Sequence, residues 1–336
     1  MPFRTPVPPH YSDSAAEYRA ARTRAVLCNT SAWSRFLVSG ADHLDFLHRM
    51  STNHFLACAP DSGLEAVLPD NRGRLLDLGA FYRRPDQTLA IFSPAMRTDL
   101  PAWLDRYIFA EEIELSDITD TTALFELCGP QAGQLANRLL GIDLTEADRY
   151  SLLGEPQTDG TWINCIQRWG APALQVVAPA TRASQLWDAL QDQGAVACGT
   201  TAGEIMRIET GTPAWGRELT QDHNPWEAGL ERAIHMDKGC YIGQEVIARL
   251  DTYDKIKQRL LGLQWTAPHL PTDRTPIQAQ GRPAGTLTSA IYSPRLQRTV
   301  ALAYVRRAYW QTGTQVEFEL DGDRCQAEVT ALPFDA

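Results

Sequence analysis

The sequence predicts an α+β protein with a large mixed region followed by a small β-barrel domain. Apolar segments of helical period and of strand length alternate irregularly through the first three quarters of the 336 residues. No glycine-rich dinucleotide or phosphate motif follows any strand. From Lys255 onward only short strands separated by turn residues remain. We therefore expect two domains, residues 1–254 and residues 255–336.

The composition excludes a disordered, collagen-like or coiled-coil chain. Hydrophobic residues make up 44% and charged residues 21% of the chain, as in ordinary globular proteins. The 31 Lys and Arg against 41 Asp and Glu give a net charge of -10, which argues against nucleic acid as a partner. Seven widely spaced cysteines without a CxxC motif indicate a reducing compartment. No stretch approaches the ~20 apolar residues that span a bilayer, so we expect a cytoplasmic protein without a membrane partner.

The helices of the first region are predicted from caps and from apolar spacing. A capping box at Ser14–Glu17 begins a helix that runs to about Val26. The clearest helix follows Ser93-Pro94, where apolar residues recur at the spacing of one buried face, namely Met96, Leu100, Trp103, Leu104 and Tyr107. Further helices are predicted near Ser39–Asp42, after Gly129-Pro130, over Thr181–Leu190, at a second capping box Thr201–Glu204, and at Asn224–Glu227.

Strands are predicted from short apolar segments. In the first region these are Leu89–Phe92, Ala123–Leu127 and Ala173–Val177. In the second region they are Ile256–Trp265, Pro283–Tyr292, Thr299–Val305, Gln315–Leu320 and Cys325–Leu332. Five strands without a helix favour a small barrel or sandwich.

The segment Lys238–Glu245, with the sequence KGCYIGQE, carries the most chemical information. Two glycines bracket Cys240, and the apolar spacing after Gly243 is helical, so Cys240 is expected in a tight loop before a helix. The helix N-terminus and Lys238 would both stabilise a thiolate. The alternative is that Cys240 is a small buried hydrophobic residue, which is our interpretation of the other six cysteines.

Other candidate residues have plain structural alternatives. Arg207 and Glu209 lie on one predicted helix and are candidates for binding an anion and amide groups, or they form an ordinary helical charge pair. Asp77 ends a predicted strand after a turn, where a carboxylate serves as a general base or simply as a cap. His43, His48 and His54 lack the spacing of metal ligands, so no metal site is expected.

In their order along the chain, these segments resemble the folate-binding superfamily of the glycine-cleavage T-protein, an aminomethyltransferase, and most closely its YgfZ-type branch. The branch signature K-G-C-Y-x-G-Q-E is complete at Lys238–Glu245. Supporting matches run along the whole chain, including Asn29–Ser31, Ser51–Asn53, Gly73–Asp77, Cys128–Ala132, Arg207–Gly211, Trp215–Leu219 and Gly285–Ser289.

The resemblance implies a GcvT-like folate-binding fold, with ferredoxin-like N-terminal units and the C-terminal barrel arranged as a ring around a central tetrahydrofolate. It also implies which residues bind the cofactor. Arg207 and Glu209 occupy the family's R-x-E-x-G element, and Trp215 is placed to stack on the flat pterin. The remaining expected folate contacts are Asp77, Tyr241 and Gln244.

Two departures separate this chain from the transferases. The transferases have a pair of aspartates in one strand, and the second of them assists the chemistry at folate. That second aspartate aligns here with Leu78 instead of Asp77. Their acidic loop that holds the pterin corresponds to residues 168–173, which contain no acid. Both groups that methylene transfer needs are therefore absent from the aligned positions.

The resemblance and its departures together predict a tetrahydrofolate-binding accessory protein that supports iron-sulfur cluster assembly or repair in client enzymes. Lys238 and Cys240 are its expected functional pair. Its expected partners are iron-sulfur client or assembly proteins. The first alternative is a folate-dependent aminomethyltransferase that uses Asp77 as base if the alignment is shifted by one residue. The second is a scaffold that has lost folate altogether.

Overall fold

The structure of the protein is a computed structural model, which describes residues 6–145, 147–153, 160–266, 270–271 and 274–334. The chain forms two compact units, each built from several segments. The first comprises residues 1–68, 77–203 and 233–241. The second comprises residues 69–76, 204–232 and 242–336. The predicted division after residue 254 stays a prediction.

The described residues contain helices and strands in an irregular order. The α-helices are α1 (Ser14–Thr23), α2 (His43–Met50), α3 (Met96–Leu104), α4 (Ala132–Leu140), α5 (Ala180–Asp192), α6 (Thr200–Glu209) and α7 (Gln244–Thr252). The first ten strands are β1 (Val26–Asn29), β2 (Ser34–Ser39), β3 (Ser62–Pro69), β4 (Leu75–Arg83), β5 (Gln87–Phe92), β6 (Glu114–Asp117), β7 (Thr122–Cys128), β8 (Trp162–Arg168), β9 (Ala171–Pro179) and β10 (Val196–Cys198). Among the described helices, none is long and apolar enough to cross a membrane.

These ten strands form two five-stranded sheets. One has the order β10-β1-β7-β9-β8, and the other has the order β3-β4-β5-β2-β6. In the first sheet β1 pairs in parallel with β10, while its pairing with β7 is antiparallel. One face of this sheet packs on α4 and α5, where Phe125, Leu127 and Val176 meet Leu135 and Trp187. Since side chains alternate along a strand, the residues next to these in each strand point to the opposite face of the sheet, away from α4 and α5.

The C-terminal strands close into a six-stranded barrel of order β11-β14-β13-β12-β15-β16. Its strands are β11 (Gln258–Trp265), β12 (Thr275–Ala279), β13 (Arg282–Ser293), β14 (Arg298–Arg306), β15 (Gln315–Leu320) and β16 (Asp323–Thr330). The α+β class and the C-terminal barrel are therefore confirmed. Strand β12 is not predicted from the sequence, because it contains Pro276 and proline usually argues against a strand.

The first predicted capping box is wrong in its detail. Asp13, not Ser14, caps α1 by accepting a hydrogen bond from the Ala16 amide. The carboxylate of Glu17 is turned to other amides, those of Tyr11 at 2.6 Å and Gly199 at 2.8 Å. The helix ends at Thr23, because the chain enters strand β1 three residues later.

The predicted helix at Asn224–Glu227 is a turn. The reciprocal bonds of a capping box are both present, from the Glu227 amide to Asn224 Oδ1 (3.0 Å) and from the Asn224 amide to Glu227 Oε2 (3.3 Å). The turn stops at Gly229, whose φ of 72° is left-handed. A capping motif thus specifies the first turn, and the glycine ends it before a helix propagates.

Candidate functional site

The segment Lys238–Glu245 is a loop that leads into α7. Gly239 and Gly243 both have left-handed backbones, with φ of 98° and 75°. Gly243 is the N-cap of α7, and a Cβ atom there would lie 2.3 Å from the Asp70 carbonyl oxygen. Only glycine satisfies both constraints. The predicted tight loop before a helix is therefore observed, and within it Cys240 is exposed and is not a buried core residue.

Lys238 is held inside the first unit. Its ammonium donates to the carbonyl oxygen of His48 on α2 and lies 5.0 Å from the centre of the Tyr241 ring. The His48 ring in turn hydrogen-bonds the Lys238 carbonyl oxygen through Nε2 at 2.8 Å. Burial lowers the pKa of Lys238 to about 8 and raises the pKa of Tyr241 to about 12. The pKa of Lys238 thus lies well below that of an ordinary lysine, while its role beside Cys240 stays a prediction.

Asp77 lies inside β4, which continues to Arg83, so the expectation that the strand ends at this carboxylate is wrong. The carboxylate is 1% exposed and accepts hydrogen bonds from the amides of Leu78 and Ser93, both at 2.9 Å. Burial raises the pKa of Asp77 to about 6, although these hydrogen bonds oppose the shift. Asp77 therefore joins β4 to the segment that precedes α3, an environment typical of a structural carboxylate.

Leu78 points to the other face of β4. It shares that face with Tyr82, since the two are four residues apart in one strand. The Tyr82 hydroxyl donates to Gln175 Oε1 of β9 at 3.0 Å. The face of β4 that meets the first sheet is thus the face of Leu78, not that of Asp77.

A buried polar network lies on the first sheet where Tyr82 meets it. We call it the sheet network, and it consists of Tyr82, Glu126, Asn164, Arg168 and Gln175. Strand register places Glu126 opposite Gln175, and Gln175 opposite Asn164. The Gln175 amide donates to Glu126 Oε1 at 3.3 Å, and the Asn164 amide donates to Gln175 Oε1 at 3.4 Å. Arg168 Nε is 3.2 Å from Glu126 Oε2.

The sheet network retains unused polar capacity. Among the residues that the structure describes, Asn164 Oδ1 has no hydrogen-bond partner, and neither Glu126 Oε2 nor Arg168 Nε forms a hydrogen bond of good geometry within their ion pair. Burial raises the pKa of Glu126, with the Arg168 guanidinium opposing the shift. Buried polar atoms of this kind are costly unless a ligand or water satisfies them. The network is therefore the candidate ligand-binding surface of the first unit.

The sheet network is not evident from the sequence. Residues 168–173 contain no acid, but β7 supplies the carboxylate of Glu126 beside Arg168. The available signal was a single charged residue in the apolar segment Ala123–Leu127. Its pairing with Gln175 and Asn164 depends on strand register, which local sequence does not specify.

Arg207 is the centre of a second network, in the second unit. Its Nε and Nη2 donate to the Glu204 carboxylate at 2.8 and 2.6 Å, and its Nη1 donates to Glu218 Oε2 at 3.0 Å. Its remaining donors reach the Thr212 carbonyl oxygen and Ser289 Oγ. All five N–H groups of Arg207 are used within the chain. A direct bond from Arg207 to folate would therefore replace one of these contacts.

The other predicted ligand residues differ in accessibility. Glu209 is buried and accepts a hydrogen bond from Ser293 Oγ at 2.5 Å. Trp215 is 41% exposed, as a stacking surface requires. Gln244 is half-buried at the first position of α7. Their contacts with folate stay predictions.

The buried carboxyl of Asp77 predicts a pH dependence of stability. Its folded-state pKa of about 6 lies above the ordinary value of 3.8, so the folded protein takes up a proton before the unfolded chain does. Between about pH 8 and about pH 5, wild type should gain on the order of 1 kcal/mol of unfolding free energy relative to Asp77→Asn. Urea unfolding at both pH values measures this. An identical pH dependence in the two proteins would contradict the buried environment of Asp77.

The Arg207 network predicts a contrast between two arginines that share Glu204. Arg207→Lys leaves the fully buried Glu218 poorly paired and should lower the unfolding free energy by about 3 kcal/mol. Arg217 also contacts Glu204 but its side chain is 52% exposed, so Arg217→Lys should cost less than about 1 kcal/mol. Denaturant midpoints of the two variants provide the comparison. Equal losses would show that burial does not set the strength of this network.

Comparisons with known proteins agree on one family. The GCVT N-terminal domain matches residues 5–238, and the glycine cleavage T-protein C-terminal barrel domain matches residues 258–335. A protein of Arabidopsis thaliana named as a chloroplastic transferase is 34% identical over 92% of this chain and 71% of its own length. The aminomethyltransferase of Symbiobacterium thermophilum is 29% identical over 98% of this chain and 91% of its own length.

A solved structure shares the fold. The crystal structure of glycine cleavage system aminomethyltransferase T from Bartonella henselae superimposes with a TM-score of 0.88. At 23% identity the match covers 97% of this chain and 91% of that one. Two domain matches covering most of the sequence, and a relative above 30% identity, establish the kinship. The chain therefore belongs to the glycine-cleavage T-protein family.

Proposed function

We propose that this protein binds tetrahydrofolate and acts as an accessory factor for iron-sulfur cluster assembly or repair, without transferring a one-carbon unit. The observation that carries the proposal is the orientation of β4. The face that meets the sheet network presents Leu78, where the transferases of the family have a carboxylate, and the neighbouring Asp77 is enclosed on the other face. An aliphatic side chain neither accepts a proton nor stabilises a developing cation.

The sheet network has the groups that a pterin requires. The pterin edge carries N–H donors beside a carbonyl acceptor. Glu126 and Asn164 offer acceptor oxygens with unused capacity, and Arg168 offers a donor. When bound, tetrahydrofolate would supply the nitrogen atoms that carry one-carbon units. The residues of the chain would orient the pterin by its edge and exclude water from the buried network.

Cys240 supports the accessory role because it is exposed. A thiol that exchanges with a client protein, or shields a damaged cluster, must reach the surface of that client. Cys240 lies between Gly239 and Gly243, whose left-handed backbones allow the tight loop that carries it. The buried amine of Lys238, two residues away in sequence, has a pKa lowered by burial to about 8, which brings it closer to the range that suits proton transfer. The proposal also includes iron-sulfur proteins as clients and a cytoplasmic location.

The second candidate is a folate-dependent aminomethyltransferase. Its support is the likeness to proteins named aminomethyltransferase along almost the whole chain. The two candidates differ in one measurable property, which is turnover. Both require folate binding, so absence of binding would favour a scaffold that has lost the cofactor.

The folate proposal predicts binding without turnover. Tetrahydrofolate should bind the wild type, and Glu126→Gln should weaken binding by about tenfold or more because a charged acceptor is lost. Titration calorimetry measures both, and Glu319→Gln on an exposed position of the barrel is the matched control. A glycine-cleavage assay with carrier protein and tetrahydrofolate should give no product above the protein-free background. Turnover would decide for the aminomethyltransferase.

The accessory role predicts a specific loss at Cys240. Cells carrying Cys240→Ser should lose activity of cluster-dependent enzymes under oxidative stress, because the exposed thiol is removed. Cys325→Ser, which changes a half-buried cysteine of β16, should leave those activities unchanged. Client enzyme activities in cell extracts provide the readout. Unchanged activity in the Cys240 variant would refute the role of this thiol.

A further inference from the structure

Three of the seven cysteines lie on one face of the first sheet. Cys198, Cys28 and Cys128 belong to the neighbouring strands β10, β1 and β7, and we call them the thiol cluster. Cys28 and Cys198 are direct partners in the parallel pair of β1 and β10. Glu126 is the antiparallel partner of Cys28, and Cys128 lies two residues beyond it, so all three thiols share one face.

The thiol cluster is part of a complete row across the sheet. Register places one residue from each strand side by side, in the order Cys198, Cys28, Glu126, Gln175 and Asn164. The last three belong to the sheet network, and the first two are free thiols. Cys28 and Cys198 therefore lie directly beside the polar groups on this face. Cys240 belongs to a different segment, the loop before α7.

The surroundings make the three thiols unequal. Hydrogen bonds from the Cys128 and Cys198 thiols hold the pKa of Cys28 well below its ordinary value, with burial opposing and Arg168 assisting. Burial, and then the hydrogen bond given to Cys28, raise the pKa of Cys128, whereas for Cys198 the hydrogen bond is the larger cause and burial the second. Cys28 is thus the cysteine of the cluster whose thiolate form its neighbours stabilise, and the thiolate is the nucleophilic form of cysteine.

Strand geometry selects the partner of Cys28. Adjacent strands lie about 4.8 Å apart, within the Cα separation of about 4.4–6.8 Å that a disulfide spans. Cys128 is a diagonal neighbour of Cys28, and such neighbours are typically about 7–8 Å apart, so that a bridge to it would require more movement of the backbone. Cys198 is therefore the cysteine that can bridge to Cys28 with little movement of the backbone.

We propose that Cys28 and Cys198 form a redox-active dithiol that a small-molecule disulfide converts to an intramolecular disulfide. The Cys28 thiolate attacks one sulfur of the small disulfide, forms a mixed disulfide and releases one small thiolate. Cys198 then loses its proton, attacks the Cys28 sulfur and releases the second small thiolate. Two protein thiols lose two electrons in total, and the small disulfide is reduced to two thiols.

The residues around Cys28 and Cys198 bear on two points: how a small disulfide reaches the thiols, and which part of the fold the bridge would restrain. Cys28 is the most exposed of the three, at 8% against 2% for Cys198 and 0% for Cys128. Tyr11, which is 44% exposed, lies near these thiols, and its pKa is raised by burial first and by the nearby Cys28 second. The bridge would join edge strand β10, which leads directly into α6, to its neighbour β1. Oxidation would thus restrain the point where α6 begins.

The test treats the full-length protein with oxidised glutathione, traps free thiols with N-ethylmaleimide and maps peptides by mass spectrometry. We expect a linked peptide pair containing Cys28 and Cys198, which dithiothreitol separates. Cys198→Ser should stop at a mixed disulfide of Cys28 with one glutathione. Cys128→Ser should still form the bridge, since serine keeps a hydrogen-bond donor beside Cys28.

The same map contains the outcomes that overturn the proposal. Cys28 and Cys198 both trapped as free thiols, or Cys28 linked to Cys128, would each refute it. Modification confined to Cys240 or to the half-buried Cys58 and Cys325 would also refute it. Peptide mapping of the wild type decides the question even if a serine variant fails to fold.

Discussion

The alternation of side chains along β-strands is the constraint on which the candidate sites of the first unit depend. In the sheet β10-β1-β7-β9-β8, one set of alternate residues packs on α4 and α5, and the other set forms the row from Cys198 to Asn164. A shift of one residue in any strand would exchange the two faces. The large apolar face therefore fixes the register, and the register places acids, amides and thiols together on the other face.

The same constraint governs the choice between functions. On β4 it separates Asp77 from Leu78, so that one carboxylate is enclosed and the position facing the sheet network is aliphatic. In the function that we propose, this chain keeps the family fold and a polar surface for a pterin, and the aliphatic side chain of Leu78 stands where one-carbon transfer would need an acid. The Arg207 network in the second unit fits this view, because its donors all serve the structure of the chain itself.

Much of the fold was accessible from sequence because it rests on local pattern. The buried face of α3, with Met96, Leu100 and Trp103, and the bracketing glycines of Cys240 both followed from spacing or residue type. The sites were less accessible because they depend on pairing between distant segments. Glu126 and Gln175 are 49 residues apart, and Cys28 and Cys198 are 170 apart, yet each pair is adjacent in the sheet. The helix predicted from local sequence at Asn224–Glu227 is also wrong. Its capping hydrogen bonds are present, but they begin a turn that Gly229 ends.

The central claim is that this member of the family holds folate on the first sheet without a catalytic carboxylate beside it. A crystal structure with bound tetrahydrofolate tests this most directly. We expect the pterin edge to contact Glu126 and Arg168. Leu78 should be the β4 residue that faces the ring, and Asp77 should keep its hydrogen bond from the Ser93 amide. A pterin nitrogen in hydrogen-bond contact with Asp77 would contradict it and would restore the aminomethyltransferase.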